Sequence, residues 1–249
     1  MALPPYVSSA RTSHADSYDS VPDLTKNVTI VINGDASFTV PESLLIEKSQ
    51  YFTAACRGEW IEATSRVIKL QEVDAEAFNS YMYWIHRHEL AINAKFDLKD
   101  VESVVTYVDK LVRLWLLGDR FDDCELRDIA MTALLVAFKE DQSSSFHTAV
   151  LPPSATVLIF SSLTNGRALR RLVLNHYIIR VWPRDMIQQW DEFHPDFIKS
   201  LAMGHLEPRY EGEVMRDDEE SLEDEKEYCH YHEHSSVTMR CAEAVLQKP

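Results

Sequence analysis

The chain has 249 residues, of which 45% are hydrophobic, 10% aromatic and 26% charged, a globular profile that accommodates one large domain or one compact domain with appendages. Its formal net charge of −15 opposes non-specific attraction to nucleic-acid phosphates and anionic lipid. The six glycines stand singly (Gly34, Gly58, Gly118, Gly166, Gly204, Gly212), so neither a GxGxxG turn nor a P-loop can be written.

Residues 1–25 are rich in Ser, Pro and Asp, poor in apolar residues and without period, which predicts a disordered segment. They lack the basic start and apolar stretch of a secretory signal, so the expected location is cytoplasmic, nuclear or both. Structure is expected to begin at Val28-Thr29-Ile30-Val31-Ile32, a β-branched run closed by Asn33-Gly34-Asp35. Asn-Gly between apolar runs is a hairpin signal, and Ser37-Phe38-Thr39-Val40 is the return strand. Pro41 ends the ladder for want of an N–H and suits a helix start. Residues 42–57 read as two short helices broken near Ser49, and residues 66–70 as a third strand. Asp74 caps a long helix running to Glu89. The run Met82, Tyr83, Trp84 and Ile85 is assigned to its core face, with His86 and His88 on the surface near its end. Leu90-Ala91-Ile92 reads as a further short strand.

Two longer helical patterns follow, over residues 104–121 and 124–139. Cys56 and Cys124 fall in apolar helical stretches and read as small buried hydrophobes. With four cysteines and no close CxxC pair, the chain fits a reducing compartment. Residues 142–153 form a Ser-rich, Pro-containing linker, and residues 154–206 a helical region with stretches near 157–163, 169–181 and 197–203. Arg167, Arg170 and Arg171 are its basic cluster, read either as a receptor for acidic groups or as a solvated helix face.

Charge sets the remaining boundaries: residues 1–25 carry −2, 26–141 carry −7, 142–206 carry +2, 207–227 carry −8 and 228–249 carry zero. The 207–227 segment is an acidic linker, and residues 228–249 a tail bearing Cys and His. Cys229, His232, His234 and Cys241 are a candidate zinc set, because thiolate and imidazole are ligands zinc prefers and four of them close a tetrahedral site. His232 and His234 project to one side of an extended chain, with His230 as a substitute ligand. Zinc held this way would be structural, having no position left for water. The other reading is a tail without metal. No apolar run approaches the ~20 residues of a membrane helix. No GxSxG, HExxH or nucleophile–base motif is present, so no catalytic residues, cofactor, membrane or nucleic-acid partner are expected.

The order strand, hairpin, strand, two short helices, strand, long helix and helix pair resembles the BTB/POZ domain. The residues that carry the likeness are 28–40, Leu44-Leu45-Ile46-Glu47-Lys48-Ser49-Gln50-Tyr51-Phe52, Gly58-Glu59-Trp60-Ile61-Glu62-Ala63, Val67-Ile68-Lys69-Leu70 and 74–90. With the helix pair it covers residues 26–141. Downstream, Leu169-Arg170-Arg171-Leu172-Val173, His194-Pro195-Asp196-Phe197 and Cys229-His230-Tyr231-His232-Glu233-His234 resemble fungal (ascomycete) members. The resemblance implies an α+β fold, a small three-stranded sheet capped by helices, followed by a mostly helical C-terminal region. It also implies a non-catalytic protein-interaction module that forms homodimers, joins another BTB protein, or acts as substrate adaptor of a cullin-based ubiquitin ligase, with residues after 141 recruiting substrate.

The family commonly has Asp before the first strand and His after the second, where this chain has Asn27 and Pro41. The apolar-x-Glu signature of cullin binders is approached by Leu98-Lys99-Asp100, one methylene short, which makes Leu98 and Asp100 the candidate cullin contacts. Leu44, Leu45 and Ile46 are the candidate dimer contacts. At about 100° per residue they span roughly 200° of a helix, more than one packing face needs, so at least one points outward unless the helix is wedged between two layers.

Overall fold

The computed structural model describes residues 24–57, 60–91, 101–140, 151–161, 167–181 and 186–206. Strand β1 (Asn27–Ile32) turns into β2 (Ala36–Pro41) and pairs with it antiparallel, Asn27 opposite Pro41 and Ile32 opposite Ala36. The turn needs left-handed backbone at two successive residues, which Asn33 (φ 51°) and Gly34 (φ 86°) supply. The Asp35 N–H closes it onto the Ile32 carbonyl at 3.0 Å.

Three short helices, α1 (Glu42–Lys48), α2 (Gln50–Arg57) and α3 (Ile61–Ser65), cross over to β3 (Val67–Leu70). Strand β3 lies parallel to β1 on its other side, giving the order β2-β1-β3. A parallel pair cannot be joined by a tight turn, and the three helices provide the longer connection. Val28, Ile30 and Ile32 alternate into the core along β1, joined by Val40, Ile68 and Leu70.

Helix α4 (Ala75–Arg87) starts where sequence places its cap: Asp74 Oδ1 accepts from the Ala77 N–H at 2.8 Å. It ends at His88, whose left-handed backbone (φ 56°) sends its N–H to the Trp84 carbonyl at 2.8 Å. Phe78, Tyr81, Met82, Trp84 and Ile85 are buried. Tyr83 departs from its expected core position and is exposed, because it lies on the opposite side of the helix from that stripe. His86 and His88 are exposed. Leu90 and Ala91 are not strand, contrary to expectation: Leu90 follows the end of α4 and is buried in the core, and Ala91 lies in a turn. Ile92 lies outside the described residues.

Helices α5 (Val101–Arg120) and α6 (Cys124–Glu140) form an antiparallel hairpin behind α4. Beyond it come α7 (Pro153–Ser161), α8 (Arg167–Arg180), a 3-10 turn (Ile187–Glu192) and α9 (Pro195–Leu206). Helix α7 packs on α5, and the Tyr177 hydroxyl of α8 donates to the Leu151 carbonyl at 3.0 Å. Phe160, Tyr177, Phe193 and Phe197 form an aromatic cluster that ties α7, α8 and α9 together. One hydrophobic core thus runs from the sheet into the C-terminal helices.

Candidate interaction surfaces

Helix α1 is two turns long, flanked by Pro41 in extended conformation and by Ser49, also extended. Glu42, in its first turn, pairs with Arg66 of the αL residue that ends α3. The three consecutive apolar residues divide as helical geometry demands. Leu45 is fully buried, whereas Leu44 and Ile46 are half-buried and only lean on the core. Leu45, named with Leu44 and Ile46 as a candidate dimer contact, is therefore corrected to a core residue of its own domain.

The break between α1 and α2 is fixed by a buried polar junction. Ser49 Oγ accepts from the Phe52 N–H at 3.1 Å, capping α2, and donates to the Phe121 carbonyl at 2.5 Å. Two residues on, Asp123 caps α6: its Oδ1 accepts from the Leu126 N–H at 2.9 Å and its Oδ2 from Trp84 Nε1 at 3.1 Å. Burial pushes the Asp123 carboxyl up to about 6, against the two hydrogen bonds that favour its charged form. The Tyr81 hydroxyl is buried beside Ser49 and Asp123 without a well-aligned hydrogen bond to either. Burial first, then the Asp123 charge, push its ionisation upward. At the rim, Lys48 Nζ meets Glu125 Oε2 at 2.7 Å. The junction thus locks α1 and α2 onto α4 and the α5–α6 corner. Asp123 was not among the expected caps, although it stands three residues before Leu126 as Asp74 stands three before Ala77, the pattern that would have marked it.

Other surfaces carry apolar groups that patterning does not explain. Trp60 and Ile61 stand exposed at the start of α3, Ile61 at 81%. Val157 and Leu158 on α7, and Ile187 and Trp190 on the 3-10 turn, are exposed as well. Of the basic cluster, Arg167 and Arg171 are exposed. Arg170 is used internally: its guanidinium donates to the Ile159 and Phe160 carbonyls at 3.1 and 3.3 Å and lies 5.4 Å above the Phe160 ring. Cys56 is buried, which raises its thiol pKa and makes it a poor nucleophile. Cys124, expected buried, is partly exposed because it opens α6 at the hairpin corner.

Leu98 and Asp100, and the candidate zinc ligands Cys229, His232, His234 and Cys241, lie outside the described residues. Among the described residues no group of three or more His, Cys, Asp or Glu side chains is placed to hold a metal, and no helix is long and apolar enough to cross a membrane.

Strand order, the capped helix α4 and the helix hairpin together reproduce the architecture the resemblance implies. Residues 22–113 match the model of the BTB/POZ domain family. The chain carries a BTB/POZ domain. The matched BTB/POZ segment ends within α5, so that helix runs out of the matched part and carries α7 on its flank. No curated protein matches the chain. A BTB/POZ domain is a protein–protein interaction module, and protein partners follow from its presence.

Proposed function

We propose that the chain is a non-catalytic adaptor of the fungal BTB type, cytoplasmic or nuclear, whose BTB/POZ domain joins a second copy of itself or another BTB protein through α1. The observation that supports this is the placement of Leu44 and Ile46, apolar side chains left half-open to solvent on either side of the buried Leu45. Leu44 and Ile46 also touch the core, and the part of each left open is apolar surface that a partner can cover. Sedimentation equilibrium of the full chain carrying Leu44→Glu and Ile46→Glu tests it. Loss of the dimer with an unchanged far-UV spectrum supports the reading, and an unchanged mass refutes it.

The alternative is a substrate adaptor of a cullin-based ubiquitin ligase, with Leu98 and Asp100 at the cullin and the region after 141 at the substrate. It is favoured by the exposed apolar residues of the C-terminal helices, which share a core with the BTB/POZ domain. Binding of purified chain to a purified cullin, weakened by Leu98→Ala with Asp100→Ala, separates it from simple dimerisation.

A further inference from the structure

Arg167, Arg171, Leu174 and Ile178 follow one another along α8 at steps of four, three and four residues, which stacks them on one face of the helix. Leu169, Val173 and Tyr177, on the far side, are fully buried. In the row itself Arg167 and Arg171 are exposed, and Leu174 and Ile178 are half-buried. Helix α8 contains four arginines and no Asp or Glu, so no acid of its own stands three or four residues away to offset them. Asp191, Glu192 and Asp196, the described acids that follow it, are exposed, and none of them forms an ion pair with α8 among the described residues.

The row ends where α9 ends. Gly204 lies against Ile178, and α9 stops at Leu206, so the chain leaves the helical region at the Ile178 end of the row. Next in sequence are residues 207–227, with a net charge of −8. Residues 207–216 carry only −1 of this and include Tyr210, Val214 and Met215, whereas residues 217–225 hold seven acids and no base. From the same end, the row is apolar at Ile178 and Leu174 and then basic at Arg171 and Arg167. Chain and surface change character in the same order. The row from Ile178 to Arg167 is about 16 Å long, and the eleven residues from Leu206 to Asp217 reach at most about 40 Å. A tether of that length holds its acids near the row at an effective concentration on the order of millimolar. A separate acidic protein has to compete with them.

We propose that the outer row of α8 is an acidic-peptide-binding surface, and that its occupant is residues 217–225 of the same chain. Arg167 and Arg171 each take carboxylates of the run, for which the forked guanidinium is suited. Docked, the run closes the surface to acidic segments of other proteins, so the chain carries its own inhibitor.

Two measurements on the full chain test this, with fold checked by circular dichroism. In the first, a labelled peptide of residues 214–228 is titrated at low salt into the wild type and into a neutralised variant, in which every Asp of 217–225 is changed to Asn and every Glu to Gln. The neutralised chain binds the peptide, and the wild type binds it about tenfold more weakly or less, because the tethered run holds the row. Adding Arg167→Gln with Arg171→Gln to the neutralised chain removes the binding. In the second, Arg167→Lys with Arg171→Lys keeps the charge and supplies amines, which a carbodiimide joins to carboxylates in contact with them. Isotopically light and heavy chains are mixed beforehand. Cross-links from positions 167 and 171 to residues 217–225, each within one chain, are expected. Equal peptide binding by wild type and neutralised chain, binding by neither, or binding that survives loss of both arginines overturns the proposal. Cross-links that miss 217–225 overturn it too, and those that join light to heavy chains make another copy the occupant and overturn it likewise. None of these outcomes moves the α1 reading, which is decided by the mass of the Leu44 and Ile46 variant.

Discussion

Trp84 and Asp123, 39 residues apart, meet inside the core, the indole Nε1 donating to Oδ2 at 3.1 Å. Because Oδ1 also caps α6 through the Leu126 N–H, one carboxyl joins α4 to the α5–α6 corner. Asp123→Ala removes a helix cap and leaves the Trp84 N–H buried without an acceptor. The cap is worth about 1 kcal/mol and the orphaned donor about 1–3 kcal/mol. Urea unfolding at pH 7 is expected to show a loss of about 2–4 kcal/mol. Asp123→Asn keeps one acceptor and removes a buried charge, and is expected to lose less.

The same residue gives stability a pH dependence of definite sign. Its carboxyl is pushed from its ordinary value of 3.8 up to about 6 in the folded protein, chiefly by burial. The folded state therefore holds the proton more tightly than the unfolded chain. The contribution of Asp123 to stability is fully present below about pH 4 and is lost as pH rises through about 6. Two pH units correspond to roughly 3 kcal/mol. Other acids contribute slopes of their own, so the measurement is a difference: wild type minus Asp123→Asn, by urea unfolding from pH 4 to 7.5. The wild type is expected to lose stability relative to the variant across that range. A difference that is flat, or that rises with pH, contradicts the assignment.

Much of this was readable from local chemistry. Asn33-Gly34 specified its turn, Asp74 its cap and Ser49 its break, because each acts through the backbone within a few residues. What escaped was decided at a distance or by brevity. Helix α3 is five residues long, too short for a period to show. Leu90 is apolar because it enters the core after the end of α4, and apolar character over so short a run does not tell strand from loop. The three apolar residues of α1 divided by geometry, but which one entered the core depended on what α4 and β2 presented to it. The Ser49–Phe121 and Trp84–Asp123 contacts span 72 and 39 residues, and no local pattern marks which buried donor finds which acceptor.

Leu45 separates core from interface experimentally. Leu45→Ala deletes fully buried carbon and leaves a cavity, with an expected cost of about 2–5 kcal/mol. Its effect should be on stability alone. Where the variant is folded at low temperature, its mass should equal that of the wild type, in contrast to the paired Leu44 and Ile46 substitutions. A folded Leu45→Ala chain that dissociates would mean that Leu45 itself reaches the partner.

Gly204 of α9 lies against Ile178 of α8. A Cβ there would lie 2.3 Å from Ile178 Cδ1 and 3.2 Å from its Cγ1. The first distance demands movement, and the obstacle is the end of a side chain rather than backbone. Gly204→Ala gains helix propensity of roughly 1 kcal/mol but overpacks the contact, a penalty of about 1–3 kcal/mol. The net expectation is a destabilised α8–α9 pair. Ile178→Val removes Cδ1, the atom in the way, at a cost of about 0.5–1.5 kcal/mol alone. Combined with Gly204→Ala it should be less harmful than the sum of the two single changes. A thermodynamic double-mutant cycle reads this directly, with a favourable coupling of about 1 kcal/mol or more expected for residues in contact. Strict additivity would mean that the helices relax apart without meeting at Ile178.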